Sequence, residues 1–280
     1  MGSDSIWKME SDPNCENGTA GNRLGWSGVQ MNWEGRNMNK LKLWFAAAVL
    51  AMPIAGASGA VPGGTPPDKS VRVTERDIEN TNQKVGAAYG ALVTMWKNEF
   101  KRIGERFTAP RIVRYEGAAM TSCGVIRPEN AEYCPTANTI FYDQVFVAGL
   151  TKLAANELGT DGDMVAVGVI AHEMGHAVAM QAGYRSRSSY GNESTADCLA
   201  GAFTKQAQKD GSIEDGDIDE AFYGMSLAGD PTPEATGNAR YDRMIQARLA
   251  RQSHGTKEQR MQNFRTGLEG GAEACLDVFG

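Results

Sequence analysis

The sequence predicts an α+β protein, mostly helical with a small sheet, from three observations. Apolar residues return at helical spacing over several long stretches after Thr74. Residues 111–117 and 138–143 are rich in β-branched and aromatic residues and lie between turn formers, which is typical of strands. The helical stretches come before and after these two strands instead of alternating with them, and this order favours the α+β class.

The composition is that of a soluble globular protein, with 41% apolar and 22% charged residues. The formal net charge is −6, and it is spread along the chain without long runs of one sign. This balance argues against nucleic acid or an anionic membrane surface as the main partner.

Residues 38–60 have the order of a secretory signal peptide. Lys40 and Lys42 precede an apolar run over 43–54, and small residues follow it. The run is short for a membrane span and contains a proline, which favours a cleaved signal over a permanent anchor. The expected location is therefore periplasmic or secreted. The alternative is a membrane-anchored protein whose domain lies outside the cytoplasm.

The signal also predicts how the chain is divided. Because signal peptides start at the first residue, residues 1–37 are expected to be an over-called gene start, or a cytoplasmic tail if the apolar segment is an anchor. Residues 61–73 contain several Pro and Gly residues and form a predicted linker. The predicted domain covers residues 74–280. A membrane is expected as a partner only if the apolar segment is not cleaved.

Four cysteines follow the signal, and an even number is what a disulfide framework in an oxidising compartment requires: Cys123, Cys134, Cys198 and Cys275. None belongs to a C-x-x-C pair, so a cysteine zinc site or a redox motif is not expected. Cys123 and Cys134 flank one loop between the two predicted strands and are expected to pair. Cys198 would then pair with Cys275.

Several helices are predicted around the two strands. Residues 74–107 form one long helix or two in series, ended by Ala109-Pro110. A strongly apolar helix covers 163–181, with Asp161 or Asp163 as its cap and Gly183 as its stop. Further helices follow, and their predicted ranges are 192–209, 218–227, 240–249 and a last helix after Thr256, where Gln259 completes the capping-box spacing.

The apolar helix contains the sequence "AHEMGH", which predicts a zinc site. His172 and His176 are four residues apart, so they lie on one helix face and can reach one metal ion. Glu173 lies beside that metal, where a carboxylate can take a proton from a water that zinc has made acidic. The alternative is a core helix with two hydrogen-bonded histidines. It is disfavoured because the chain has only 3 histidines.

The segment "NESTAD" supplies candidates for the third zinc ligand and for a carboxylate that orients a ligand histidine. Glu193 and Asp197 are four residues apart on the next predicted helix. We expect Glu193 to bind zinc and Asp197 to accept the outer N–H of a ligand histidine, which fixes the tautomer of that ring. The alternative for each carboxylate is a solvated helix face. The apolar "CLAGAF" that follows favours burial, and buried carboxylates need a charge partner.

These residues carry a family resemblance. The H-E-x-x-H and N-E-x-x-x-D pattern resembles that of the thermolysin-like gluzincins. Over roughly residues 90–275 the chain resembles the bacterial neutral zinc metallopeptidase family, in "YCPTANTIFYD", "AHEMGH", "ESTADCLAG" and "SHGTKEQRMQNFRTGLEGG". The resemblance implies a zincin-like fold with a small sheet beside the H-E-x-x-H helix, and Zn²⁺ as the cofactor.

The resulting functional hypothesis is an exported zinc-dependent metallopeptidase that hydrolyses proteins or peptides, with Glu173 as the general base. One alternative is an HtpX-type quality-control zinc peptidase. Another is a non-catalytic, zinc-bound binding or chaperone module, which the intact Glu173 disfavours. His254 in "QSHGT" is a candidate catalytic donor to the oxyanion. It could instead anchor its loop, or replace Glu193 as the third zinc ligand.

Overall fold

A computed structural model of the chain describes residues 71–230, 236–252 and 254–280. The predicted signal peptide and the segment before it lie outside these residues, as does the predicted linker apart from 71–73. Among the helices of the described residues, none is long and apolar enough to cross a membrane.

The described residues form seven α-helices, five strands and two short 3-10 helices. The α-helices are α1 (Glu75–Arg102), α2 (Gln144–Leu158), α3 (Asp163–Gln181), α4 (Ser189–Lys209), α5 (Asp217–Leu227), α6 (Ala239–Gln252) and α7 (Lys257–Gly270). The strands are β1 (Arg111–Tyr115), β2 (Ala119–Thr121), β3 (Gly124–Ile126), β4 (Ala131–Cys134) and β5 (Thr139–Asp143). The 3-10 helices are Ala272–Ala274 and Asp277–Phe279. The mostly helical α+β prediction is confirmed.

The main sheet has three strands in the order β1-β5-β4. The central strand β5 is parallel to β1 and antiparallel to β4, and all of its residues are buried. Strands β2 and β3 form a separate antiparallel hairpin. Strand β4 is therefore an edge of the main sheet, and it packs against α3.

Helix α1 is a single long helix. Thr74 caps it through a capping box with Asp77. The helix stops at Arg102, earlier than the predicted 107, because Gly104 takes a positive φ of 79° directly after the C-cap. Its buried residues recur at helical spacing and are Thr81, Val85, Ala88, Leu92, Trp96 and Phe100. This stripe packs α1 against α2 and α3.

The sequence prediction missed three strands and one helix. The predicted loop between the two strands contains β2, β3 and β4, and α2 follows β5 directly. Asp143 ends β5 and caps α2 by accepting from the amides of Val145 and Phe146. Strands of three or four residues show no readable alternation. The first turn of α2 continues a β-branched and aromatic run, so its helical period is masked.

The start of α3 also differs from the prediction. Neither Asp161 nor Asp163 caps it, because the N-cap position is a glycine without a side-chain bond. The fully buried Glu220 of α5 instead accepts from two backbone amides of this first turn, both at 2.9 Å. Asp161 and Asp163 pair with Lys84 of α1. A distant side chain thus satisfies amides that a local pattern could not assign.

The C-terminal helices α4 to α7 lie close to their predicted ranges. Helix α4 starts a few residues early because Ser188 is its cap. The predicted capping box between Thr256 and Gln259 is present at the start of α7. Gly183 follows the last turn of α3 with a φ of 79°, as expected of a helix stop.

Both predicted disulfides are present, as Cys123–Cys134 and Cys198–Cys275. The second joins α4 to the C-terminal 3-10 segment, and each bridge contributes about 2–4 kcal/mol to stability. Beside it, α4 and α7 approach so closely that a Cβ on Gly201 would lie 2.0 Å from a backbone oxygen of α7. A Cβ on Gly267 would lie 1.7 Å from the Cys198 oxygen. This contact brings α7 within reach of the site described next.

Candidate metal centre

Helix α3 places two imidazoles one turn apart on one of its faces. The ring centroids of His172 and His176 are 4.8 Å apart. Between them in sequence, Gly175 lies against α4, where an added Cβ would sit 2.8 Å from the backbone oxygen of Ala196. A glycine is therefore required for α4 to come close enough to face both histidines.

Glu193 of α4 is the side chain that faces them. Its Oε2 lies 3.1 Å from His172 Nε2, and its Oε1 lies 3.6 Å from His176 Nε2. One ligand atom from each of the three residues falls within 4.8 Å of the others. Burial alone would raise the pKa of Glu193, but its hydrogen bonds to the two histidines hold that pKa well below the usual range.

The other nitrogen of His172 contacts Asp197, which is fully buried. The distance from His172 Nδ1 to Asp197 Oδ1 is 2.8 Å. Because a carboxylate only accepts, Nδ1 donates, and Nε2 is directed toward Glu193. Burial and the nearby Arg260 lower the pKa of His172, but the hydrogen bonds to Asp197 and Glu193 outweigh them and raise it to about 10. A metal bound at Nε2 would replace the proton that this nitrogen carries in the charged imidazolium.

Arg260 of α7 completes this group, and the sequence prediction did not include it. Its Nη2 donates to Asp197 Oδ1 at 2.6 Å, and its Nε donates to Oδ2 at 3.1 Å. Its Nη1 donates to the Ala228 oxygen at 3.0 Å. Burial alone would lower the pKa of Arg260, but Asp197 raises it. The available signal was the i, i+4 spacing of Arg260 with Phe264, which puts the arginine on the buried face of α7.

Glu173 is buried beside the two histidines and faces the sheet. Its Oε2 accepts from the backbone amide of Tyr133 in β4 at 2.7 Å. Glu132, the preceding residue of β4, lines the same cavity. Its own burial and the charge of Glu173 both raise the pKa of Glu132. The sequence prediction missed this contact because β4 itself was not predicted.

A cavity of about 820 Å³ opens on these residues. His172, Glu173 and His176 line it from α3, and residues of β4 form one wall. Another part of the lining is apolar and comes from α2, α3 and α5, with the side chains of Phe146, Leu150, Val165, Val169, Met225 and Leu227. The cavity therefore joins a polar cluster to an apolar recess beside β4, the edge strand of the main sheet in the described residues.

His254 lies on the same cavity but outside the cluster of three ligand atoms. Its backbone N–H donates to Asp230 Oδ2 at 2.7 Å, and the amide of Gly255 donates to the same oxygen at 3.3 Å. The side chain of His254 is 62% exposed, with Nδ1 3.5 Å from Asp230 Oδ1. Asp230 thus holds the backbone of this loop, which leaves the imidazole accessible from the cavity.

A second acidic group in the described residues could also hold a cation by its spacing alone. It lies at the start of α3 and consists of Asp161, Asp163, Asp217 and Glu220. Two of these carboxylates already pair with Lys84, and both oxygens of Glu220 accept from backbone amides. The histidine-containing cluster is therefore the stronger candidate for a metal.

Comparison with known proteins gave one family and two relatives. A family model described as "Putative neutral zinc metallopeptidase" matches residues 55–279. The "Uncharacterized protein YpfJ" of Escherichia coli K12 is 30% identical over 203 residues, covering 66% of this chain and 67% of that protein. The protein of the same name from Escherichia coli O6:H1 (strain CFT073) matches with the same values. No solved structure matched the chain.

Proposed function

The chain belongs to the neutral zinc metallopeptidase family, and we propose that it is an exported zinc-dependent peptidase that hydrolyses proteins or peptides. One observation carries this proposal. The two histidines of α3 and Glu193 of α4 direct their ligand atoms to one point, with Asp197 on the outer nitrogen of His172.

The donor set fits zinc. Two imidazole nitrogens and one carboxylate are a common ligand set for catalytic zinc, which leaves one position open to water or substrate. His172, His176 and Glu193 would hold the ion. Bound there, zinc supplies a Lewis acid that polarises a carbonyl and makes water more acidic. Asp197 fixes the tautomer of His172, which is the usual task of a carboxylate on the outer nitrogen of a ligand histidine.

Glu173 is proposed as the general base. Its Oε2 is occupied by the Tyr133 amide at 2.7 Å, so Oε1 is the atom that would take the proton from the attacking water. The same oxygen can later deliver that proton to the leaving amine. The contact with this amide of β4 holds the Glu173 carboxylate in one orientation, as a positioned base requires.

The substrate is proposed to bind as an extended segment along β4. Asn130, just before β4, accepts from the Asp143 amide at 2.9 Å, so by alternation the backbone groups of Ala131 and Tyr133 point away from β5. The Tyr133 amide is bonded to Glu173, so the groups proposed to pair with substrate are the amide and carbonyl of Ala131 and the carbonyl of Tyr133. An added strand can pair with such an edge. The apolar recess beyond His172 would take an apolar side chain of the substrate. A protein or peptide is the partner that fits these two features.

His254 is proposed as a donor to the oxyanion that forms during hydrolysis. His254→Ala should then keep zinc and the melting temperature while turnover falls by about 10²–10³, the range for loss of one such donor. Turnover, metal content and melting temperature measured on one preparation decide the role. If stability falls while activity per folded molecule is unchanged, His254 is a loop anchor. If zinc is lost, it is a ligand.

Two other functions are compatible with the fold, an HtpX-type quality-control zinc peptidase and a non-catalytic binding or chaperone module. The buried, oriented Glu173 favours an enzyme, since a binding module has no need of a base at this position. Unfolded casein, incubated with the mature protein with and without a chelator, separates the classes. Cleavage that the chelator abolishes and added zinc restores is expected. Binding of casein without cleavage would support the module.

Export is proposed from the two disulfides, Cys123–Cys134 and Cys198–Cys275, because such bridges persist in oxidising compartments. The periplasm or the cell exterior would be the location, with a membrane-anchored form as the alternative. N-terminal sequencing of the native protein tests this proposal. A start at Ser58 or Val61 supports a cleaved signal, whereas detection of residues 1–37 contradicts it.

A further inference from the structure

Arg260 is buried against the candidate metal centre, unlike an arginine on the exposed surface of a helix. It is only 5% exposed, and three of its nitrogens donate to two different elements, Asp197 of α4 and the Ala228 oxygen after α5. We propose that Arg260 is a positioning residue that holds the Asp197–His172 pair in the geometry that zinc binding needs. The proposal rests on the proposed zinc site.

Arg260 orients the Asp197 carboxylate. Arg260 donates to both oxygens, at 2.6 Å and 3.1 Å, in the two-pronged geometry specific to arginine and carboxylate. Such a contact fixes the plane of the carboxylate as well as its position. Asp197 has no exposed surface, so bulk solvent does not reach its carboxylate.

The oriented Asp197 carboxylate in turn fixes the orientation of the His172 ring. Asp197 Oδ1 accepts from Arg260 Nη2 and also from His172 Nδ1, at 2.6 Å and 2.8 Å. The two donors are 3.2 Å apart because they share this one acceptor. The position of the arginine therefore sets where the imidazole N–H must point, and hence the direction of Nε2 toward Glu193. Arg260 never reaches Nε2 itself, so it acts through Asp197.

Arg260 also links the Asp197–His172 pair to the cavity wall. Arg260 Nη1 donates to the Ala228 oxygen at 3.0 Å, and Ala228 is the C-cap of α5 and part of the cavity lining. Arg260 thus holds the end of α5 next to the Asp197–His172 pair. Within the described residues, Arg260 therefore joins Asp197 directly to this wall.

Arg260→Lys is the principal test. Lysine keeps the positive charge that the buried Asp197 needs, but a single ammonium cannot orient both oxygens and also hold Ala228. We expect zinc affinity to fall by about 10–100-fold, the range for loss of a partner behind a metal ligand. Competition with a chromophoric chelator, on folded monodisperse protein well below its melting temperature, measures the change. Turnover should recover as free zinc is raised.

Arg265→Lys is the matched control on the same helix. The Arg265 guanidinium lies 5.0 Å from the Phe222 ring centroid, and Arg265 belongs neither to the cluster of ligand atoms nor to the cavity lining. It should leave zinc affinity unchanged. Arg260→Gln is a second variant that retains two N–H donors without the charge. It should lose zinc affinity at least as strongly as Arg260→Lys if orientation matters.

A double-mutant cycle tests the route through Asp197. Adding Arg260→Lys to an Asp197→Asn protein should cost little further zinc affinity, because the carboxylate that the arginine orients is already gone. Multiplicative losses would mean that Arg260 acts independently, and would overturn the proposal. So would folded Arg260→Lys and Arg260→Gln proteins that bind zinc as tightly as the wild type and lose only thermal stability.

Failure of this proposal can be told apart from failure of the zinc site. If the wild type binds zinc and cleaves casein but the Arg260 variants bind zinc equally well, only the role of Arg260 is wrong. If the folded wild type binds no zinc, the zinc site fails and the proposal for Arg260 fails with it.

Discussion

Glu173→Gln is expected to retain zinc and to lose turnover by about 10²–10⁴-fold, the contribution of a positioned general base. Glutamine is nearly isosteric, and its side-chain oxygen can still accept from the Tyr133 amide that now holds Glu173 Oε2 at 2.7 Å. The ligands His172 and His176 are untouched. The substitution therefore removes the proton acceptor and leaves the metal site and the fold in place.

Casein hydrolysis and metal content on the same preparation check this prediction, and near-ultraviolet circular dichroism reports whether the fold is native. Turnover within a few-fold of the wild type, with zinc bound, would exclude Glu173 as the base. Loss of zinc together with activity would mean that Glu173 supports the ligands.

Glu193→Ala is expected to lose zinc. Glu193 is the carboxylate that faces both histidines, at 3.1 Å and 3.6 Å from their Nε2 atoms. Loss of a direct ligand should cost more than the roughly 10–100-fold that loss of an outer hydrogen-bond partner costs. Hydrolysis should fall in parallel at any zinc concentration that does not saturate the variant.

The matched control for this variant is Glu132→Gln, because Glu132 lines the same cavity but lies outside the ligand cluster. It should keep its zinc. A Glu193→Ala protein that binds zinc with wild-type affinity would remove Glu193 from the ligand set. In that case His254 would be the next candidate, and loss of zinc from His254→Ala would support it.

The residues of the candidate metal centre could be picked out from the sequence because their spacing is local. His172 and His176 share a helix face at a spacing of four, and Glu193 and Asp197 repeat that spacing on the next helix. The structure brings these side chains together because α3 and α4 pack closely at Gly175. The Cys123–Cys134 pairing also followed from a local argument and left Cys198 to pair with Cys275, and both bridges are present.

The contacts that surround this constellation were not predictable, because each joins residues far apart in sequence. Arg260 reaches Asp197 across 63 positions, and the Tyr133 amide reaches Glu173 across 40. Glu220 caps α3 from 58 positions away. A buried arginine and a surface arginine have the same letter, and their difference depends on packing that only the assembled helices define. The short strand β4 lacked a pattern of its own.

Anomalous diffraction from crystals of the zinc-loaded protein, recorded on both sides of the zinc absorption edge, would locate the metal and so test the proposed zinc site. We expect one anomalous peak per chain, within about 2.0–2.2 Å of His172 Nε2, His176 Nε2 and a Glu193 oxygen. A peak only at the acidic group of Asp161, Asp163, Asp217 and Glu220, or no peak between the two histidines and Glu193, would contradict it.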